Sequence, residues 1–158
     1  ILLSDVLNPL VEEQQFEAEK RGITIESSCP PDLQMEGDRA ELEIIMSNLL
    51  SNAVKYNKEK GAVYFSVVPH NTGLIISCRD TGIGISPDDQ KRLFKEFVRI
   101  KNTKTEDILG SGLSLAVVKK IVELYQGFVH LESKEEEGTT ITITLPLTEN
   151  NNDKEKDA

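Results

Sequence analysis

The chain is poor in cysteine and has no long hydrophobic run. Its two cysteines, Cys29 and Cys78, stand alone without Cys-x-x-Cys spacing. This spacing argues against a disulfide framework or a cysteine metal site, and favours two buried thiols in a reducing compartment. No apolar run approaches the roughly 20 residues that cross a bilayer, and no signal peptide is recognisable. We therefore expect a cytoplasmic domain, whether its parent protein is soluble or membrane-anchored.

Positive charge is also scarce. Eighteen Lys and Arg face 27 Asp and Glu, which leaves a net charge of −9. This charge argues against nucleic-acid binding and against direct contact with anionic membranes. We expect one domain over residues 1–147, followed by a disordered acidic tail over 148–158. Because the chain begins with Ile1 instead of methionine, we expect it to be a piece of a longer protein.

Hydrophobic periodicity and turn residues predict interleaved helices and strands. The first helix is expected to begin near residues 4–9 and to end at Gly22, with Phe16 on its inner face. The other helices are predicted over 39–57, 87–97 and 111–125, and strands over 23–28, 62–69, 74–80, 128–133 and 139–147. Residues 98–109 predict a mobile loop. The expected fold is a two-layer α/β sandwich, with helices on one face of a mixed, mostly antiparallel sheet.

The most informative motif is Asp80-Thr-Gly-Ile-Gly84, which follows an apolar strand. Gly82 and Gly84 allow the backbone to approach a ligand closely and to adopt positive φ. A single carboxylate held at a strand end above such a turn is typical of a recognition site. Taken alone, the motif fits a tight strand-to-helix turn with a capping Asp equally well.

The second motif lies on the predicted long helix, which Asp38-x-x-Glu41 opens as a capping box. Asn48 and Asn52 are four residues apart and therefore share one face, with Lys55 nearby and Tyr56 at its edge. Amide oxygens suit Mg²⁺, a lysine complements phosphate, and a tyrosine can pack against a flat base. Two solvated asparagines on an exposed edge remain an equally simple interpretation.

The third motif is Gly-Ser-Gly-Leu-Ser-Leu at 110–115, directly before an apolar helix, where free N–H groups favour an anion. It is neither a P-loop nor a Rossmann fingerprint, and the chain lacks the His-Arg-Asp and Asp-Phe-Gly motifs of the other protein-kinase class. Phe-x-x-Phe-x-Arg at 94–99, Lys101 and Lys104 lie between the second and third motifs. These cations could contact phosphate or simply belong to a solvated loop.

Together and in this order, the motifs resemble the catalytic and ATP-binding domain of sensor histidine kinases. That domain belongs to the superfamily shared with DNA gyrase B, the mismatch-repair ATPases and the ninety-kilodalton chaperone. The resemblance extends from the first helix to Leu147. It implies the Bergerat α/β sandwich, with ATP held between helices under a flexible lid.

The resemblance also implies a role for each motif residue. Asn52 would bind Mg²⁺ with Asn48 beside it, Lys55 would contact phosphate and Tyr56 would flank the adenine. Asp80 would accept a hydrogen bond from the adenine amino group. The remaining implied nucleotide contacts are Gly82, Gly84, Arg99, Lys101, Lys104, Gly110, Ser111, Gly112, Leu113 and Thr139. Ser111 and Ser114 depart from the commonest form of the glycine box, which bears on lid dynamics.

One position separates kinases from ATPases in this superfamily. Hydrolytic members carry a glutamate general base four residues before the metal-binding Asn, and Asn48 occupies that position here. The resemblance therefore implies phosphoryl transfer to a histidine on a dimeric helical domain of the same parent, which passes it to a response regulator. His70 and His130 fit an ordinary surface or sheet role better than that of phosphoacceptor. A non-catalytic nucleotide-binding module and a serine kinase of the anti-sigma-factor type remain alternatives.

Overall fold

The structure is a computed structural model that describes residues 1–71, 73–92 and 112–146. None of the helices in those ranges is both long and apolar enough to cross a membrane. The helices are α1 (Leu3–Glu19), α2 (Arg39–Lys55), α3 (Pro87–Arg92) and α4 (Gly112–Leu124). The strands are β1 (Thr24–Ser28), β2 (Ala62–His70), β3 (Gly73–Asp80), β4 (Phe128–Lys134) and β5 (Gly138–Pro146).

The five strands form one sheet in the order β1-β2-β3-β5-β4. β1 runs parallel to β2, whereas β2 with β3, β3 with β5, and β4 with β5 pair antiparallel. The predicted mixed, mostly antiparallel sheet is therefore confirmed. Since β5 inserts between β3 and β4, the C-terminal end of β3 lies inside the sheet, with β2 on one side and β5 on the other. The main chain at the end of β3 is therefore paired on both sides.

One face of the sheet forms the core with the helices. Alternate residues of the central strands are buried, as in Val63, Phe65 and Val67 of β2, because side chains alternate between the two faces of a strand. The same cluster contains the apolar stripe of α2 and residues of α1 and α4. The opposite face carries half-exposed hydroxyl side chains such as Ser66, Ser77 and Thr142. Helices on one face and a wet opposite face confirm the predicted two-layer sandwich.

Two expectations about individual side chains are wrong. Phe16 is 65% exposed, with the Lys20 ammonium 4.7 Å from its ring centroid, because it lies off the inward stripe of α1. That stripe consists of Leu3, Val6, Leu7, Val11 and Ala18. Cys29 is only half-buried, although Cys78 is buried as predicted and both thiols are free. Burial raises the pKa of the Cys78 thiol, so it stays protonated and inert.

Helix ends differ slightly from the predictions. The long helix α2 stops at Lys55 instead of residue 57, and Asp38 caps its start by accepting hydrogen bonds from the N–H groups of Ala40 and Glu41. The predicted short helix is described from Pro87 to Arg92. Its expected continuation to residue 97, the loop over 98–109 and the tail over 148–158 lie outside the described residues.

Candidate functional site

Asp80 is the last residue of β3, where it pairs with Val63 of β2 and Thr139 of β5. One oxygen of its carboxylate, Oδ1, accepts a hydrogen bond of 2.8 Å from the N–H of Gly82, and the N–H of Thr139 also bonds to the carboxylate. Burial raises the pKa of Asp80 from 3.8 to about 6 even though both hydrogen bonds lower it. The carboxylate is therefore fixed in place but poorly solvated, and a ligand that donates a hydrogen bond would compensate for the missing water.

The turn after Asp80 needs its two glycines for different reasons. Gly84 has φ of +74°, in the region that favours glycine, which agrees with the prediction. Gly82 does not adopt positive φ, but it lies close to protein backbone. A Cβ on Gly82 would lie 2.2 Å from the carbonyl oxygen of Tyr56. The same oxygen accepts a hydrogen bond of 3.0 Å from the N–H of Ile83. The turn thus rests directly on the C-terminal end of α2.

Replacing Gly82 with alanine is expected to force this turn away from α2. The added methyl group would collide with main-chain atoms of Tyr56 and Asn57, which cannot rotate aside. We expect the free energy of unfolding to fall by about 2 kcal/mol, the usual scale of overpacking. Denaturant unfolding measures this loss. In the control Gly37→Ala the methyl group meets the far end of the Tyr125 side chain, so a smaller loss is expected. Equal stability of Gly82→Ala and wild type would contradict the proposed contact.

The four predicted residues of the second motif lie in the C-terminal half of α2 and at its C-cap. Asn48 and Asn52 are half-buried, at the border between core and solvent as predicted, whereas Lys55 is exposed. Tyr56 is half-buried at the C-cap, and burial raises the pKa of its hydroxyl group. The main-chain contact between Tyr56 and Ile83 joins the second motif to the Asp80 turn. The C-terminal end of α2 and the turn after Asp80, which are distant in the sequence, therefore lie next to each other.

The turn between β4 and β5 closes the other side of Asp80. Gly138 has φ of +127°, and a Cβ there would lie 2.0 Å from the Asp80 carbonyl oxygen. Ser133 was missed by the sequence analysis. Its hydroxyl group lies 2.7 Å from the Thr139 hydroxyl group and accepts a 2.8 Å hydrogen bond from the N–H of Ile85. Its only sequence signal is its position opposite Thr139 in the predicted hairpin.

Arg21 is a second residue that sequence reasoning missed. Its guanidinium group donates to the carbonyl oxygens of Val54 at 2.6 Å, Lys55 at 3.3 Å and Asn57. These acceptors lie at the C-terminal end of α2, so the cation also offsets the negative end of the helix dipole. No local pattern could reveal the contact, because Arg21 lies more than 30 residues from its acceptors.

The lid motif falls largely beyond the described ranges. Arg99, Lys101, Lys104, Gly110 and Ser111 lie outside the described residues. Gly112 begins α4, and Leu113 is described only as part of its helical backbone. Their assignment as nucleotide contacts therefore stays a prediction.

The described side chains suit a magnesium ion that is shared with a ligand. Within the described ranges, no group of three or more His, Cys, Asp or Glu residues could hold a metal ion by itself. The half-buried amide of Asn52 offers one neutral oxygen at the edge of the core. Mg²⁺ takes only one or two protein ligands when it also binds phosphates and water. The donor set therefore fits Mg²⁺ bound together with a phosphate group.

Known proteins share the sequence pattern and the fold of this chain. Residues 37–149 match the family described as "Histidine kinase-, DNA gyrase B-, and HSP90-like ATPase". The sensor histidine kinase WalK of Bacillus subtilis is 39% identical over 77% of this chain and 20% of its own length. SenX3 of Mycobacterium tuberculosis, a sensor-like histidine kinase, is 32% identical over 89% of this chain and 34% of its own length.

Two solved structures share the fold. The mycobacterial sensor histidine kinase MprB matches with a TM-score of 0.79 and 26% identity, over 93% of this chain and 97% of that one. Full-length ShkA, solved in complex with AMPPNP, matches with a TM-score of 0.78 and 27% identity, over 93% of this chain and 30% of that one.

The fold and the motif residues thus define an ATPase domain of the histidine kinase type. The chain belongs to the histidine kinase-, DNA gyrase B- and HSP90-like ATPase family, which confirms the resemblance inferred from its motifs. It spans about a fifth to a third of the length of the curated relatives described above.

Proposed function

We propose that this domain binds Mg²⁺-ATP and transfers the γ-phosphoryl group to a histidine on a separate helical domain of its parent protein. One observation carries the nucleotide site: the half-buried carboxylate of Asp80, held by main-chain N–H groups and with its pKa raised by desolvation. The adenine amino group would donate to this carboxylate, and Tyr56 would flank the base. A neutral ring that carries one amino donor suits a pocket with one fixed acceptor.

The phosphate end of the nucleotide is assigned to α2 and the glycine box. Asn52, with Asn48 beside it, would hold Mg²⁺, which offsets the negative charge of the phosphates when bound. Lys55 would contact a phosphate directly. The proposed contacts from the rest of the chain are Gly82, Gly84, Arg99, Lys101, Lys104, Gly110, Ser111, Gly112, Leu113 and Thr139. Phosphoryl transfer depends mainly on such positioning and charge neutralisation, so no further catalytic side chain is required.

The acceptor histidine is proposed to lie outside this chain. His70 and His130, its two histidines, are exposed at the end of β2 and on β4. His130 lies 3.6 Å from the Glu132 carboxylate in an exposed pair on the wet face of the sheet. The proposed acceptor belongs to a dimeric helical domain of the parent, which makes the parent a homodimer, and a response regulator would receive the phosphoryl group. Asn48 cannot act as a general base for water, so ATP hydrolysis by the domain is expected to be slow.

The test is transfer of label from [γ-³²P]ATP to the parent protein, combined with titration calorimetry of Mg²⁺-ATP on this domain. Nucleotide binding with an acid-labile, base-stable phosphoprotein supports the proposal. An acid-stable product would identify a serine kinase instead. Binding without transfer would indicate a non-catalytic nucleotide-binding module, and absence of binding would overturn the nucleotide site itself.

A further inference from the structure

We propose that Asn57 and Thr81 form a brace that fixes the spacing between the two halves of the nucleotide site. Asn57 directly follows Tyr56 at the end of α2, and Thr81 directly follows Asp80 at the end of β3. Both would be positioning residues, because they act through their neighbours and need not touch the ligand. The inference rests on the proposed nucleotide site and adds to it the residues that hold its halves together.

Asn57 is a polar residue in the protein interior, with only 3% of its surface exposed. Its side-chain Nδ2 donates to the carbonyl oxygen of Ala62 at 3.0 Å, and its Oδ1 accepts from the N–H of Lys58 at 2.9 Å. Burying an amide is unfavourable unless it is hydrogen-bonded, and here the bonds reach from the end of α2 to the start of β2. The side chain therefore joins a helix to the sheet.

Thr81 completes the link to the Asp80 turn. Its hydroxyl group donates to Oδ1 of Asn57 at 3.2 Å and accepts from the N–H of Ala62 at 2.9 Å. Its own N–H donates to the carbonyl oxygen of Ala62 at 3.2 Å. Gly61 leaves the necessary space, because a Cβ there would lie 2.2 Å from Oδ1 of Asn57 and 2.8 Å from the Thr81 hydroxyl oxygen. Three segments thus meet in one hydrogen-bonded network.

The brace matters because one ligand must be held at both ends at once. The proposed adenine acceptor, Asp80, belongs to the sheet, whereas the proposed metal ligand, Asn52, belongs to α2. The two contacts contribute fully to the binding free energy only when the distance between Asp80 and Asn52 already matches the nucleotide. Otherwise part of that free energy is used to order the protein. Loss of the brace hydrogen bonds should leave each half of the site intact, but it should weaken the binding of a nucleotide that contacts both halves at once.

Paired substitutions of Thr81 separate positioning from simple stability. Thr81→Val keeps the shape and removes the hydroxyl group, whereas Thr81→Ser keeps the hydroxyl group. Asn57→Ala breaks the same network from the other side. Thr142→Val, on the wet face of β5, is the matched control for loss of a strand hydroxyl group. Affinity is measured well below the melting temperature of each variant, with circular dichroism as the check of folding.

We expect Thr81→Val and Asn57→Ala to weaken Mg²⁺-ATP about tenfold, on the scale of one lost hydrogen bond. Adenosine lacks the phosphates and so makes none of the contacts proposed for Asn52 and Lys55; its affinity, measured by NMR titration, should weaken by less than about threefold. Thr81→Ser and Thr142→Val should bind like wild type. A purely structural role would lower the melting temperature and leave both affinities unchanged, or lower them equally, and either result would overturn the brace.

A second measurement needs no variant. Amide hydrogen exchange of the wild-type protein without nucleotide should show strong protection of the N–H groups of Ala62, Thr81 and Ile83. Rapid exchange of all three would mean that the network is not formed in advance, and the inference would fail. If wild type does not bind Mg²⁺-ATP at all, the proposed function fails instead, so the two failures are distinguishable.

Discussion

Replacing Asn52 with alanine is expected to abolish the strengthening of nucleotide binding by Mg²⁺ and to lower phosphoryl transfer about 100-fold. Loss of a single group that stabilises transition-state charge typically has an effect of this size. Asn52 would supply the only proposed protein oxygen for the ion, and alanine removes it without disturbing a helix, since alanine is the better helix former. Titration with ATP in Mg²⁺ and in EDTA measures the first effect, and labelled transfer by the parent protein measures the second.

Ser51→Ala is the matched control for Asn52→Ala. Ser51 precedes Asn52 on α2 and is half-buried, and its hydroxyl group donates to the carbonyl oxygen of Asn48 at 3.4 Å. This variant should keep the full Mg²⁺ effect. If Asn52→Ala still binds ATP more tightly with Mg²⁺ than with EDTA, the ion is held elsewhere.

Replacing Asp80 with asparagine is expected to weaken adenine nucleotides by about 1 to 3 kcal/mol, the scale of a hydrogen bond to a charged group. The neutral amide keeps the shape of the side chain and can still accept from the N–H of Gly82, so the turn should persist. Its charge, however, no longer attracts the adenine amino group. Calorimetric titration with ATP and with GTP tests this, because GTP lacks that amino donor and should be bound weakly by both proteins.

The same substitution is expected to stabilise the nucleotide-free domain in a pH-dependent way. The pKa of Asp80 in the folded protein, about 6, exceeds its ordinary value of 3.8. Folding therefore favours the neutral carboxyl group, and the stability that it contributes is present below about pH 4 and lost as pH rises through 6. At pH 8 we expect Asp80→Asn to be more stable than wild type by about 1 to 3 kcal/mol, with the advantage vanishing near pH 4.

Denaturant unfolding at pH 4 and pH 8 measures this difference. Asp32→Asn, at an exposed loop position, is the control and should change stability little at either pH. A variant that is less stable than wild type at pH 8 would mean that Asp80 serves the fold, and the argument for a binding role would lose its main support. A gain in stability together with lost affinity is the expected signature of a residue kept for function.

Much of the local structure could be predicted from the sequence. Local patterns of neighbouring residues predict the cap at Asp38, the apolar stripe of α2 and the paired strands of each hairpin. The same holds for Gly84, whose positive φ follows from the turn that it occupies. Phe16 shows the limit, because it is hydrophobic but lies off the buried stripe of α1, while Ala18, two residues further on, is buried.

The sequence by itself determined the family, the α/β class and the order of the motifs, since these depend on residue types and spacings along the chain. Only the tertiary structure decided why Gly82 must be glycine, which carbonyl groups Arg21 satisfies, and how strongly burial disfavours the charge of Asp80. Each of these depends on atoms from segments far apart in the sequence that meet only when α2 packs on the sheet. Burial and close approach are properties of that packing, and no local pattern encodes them.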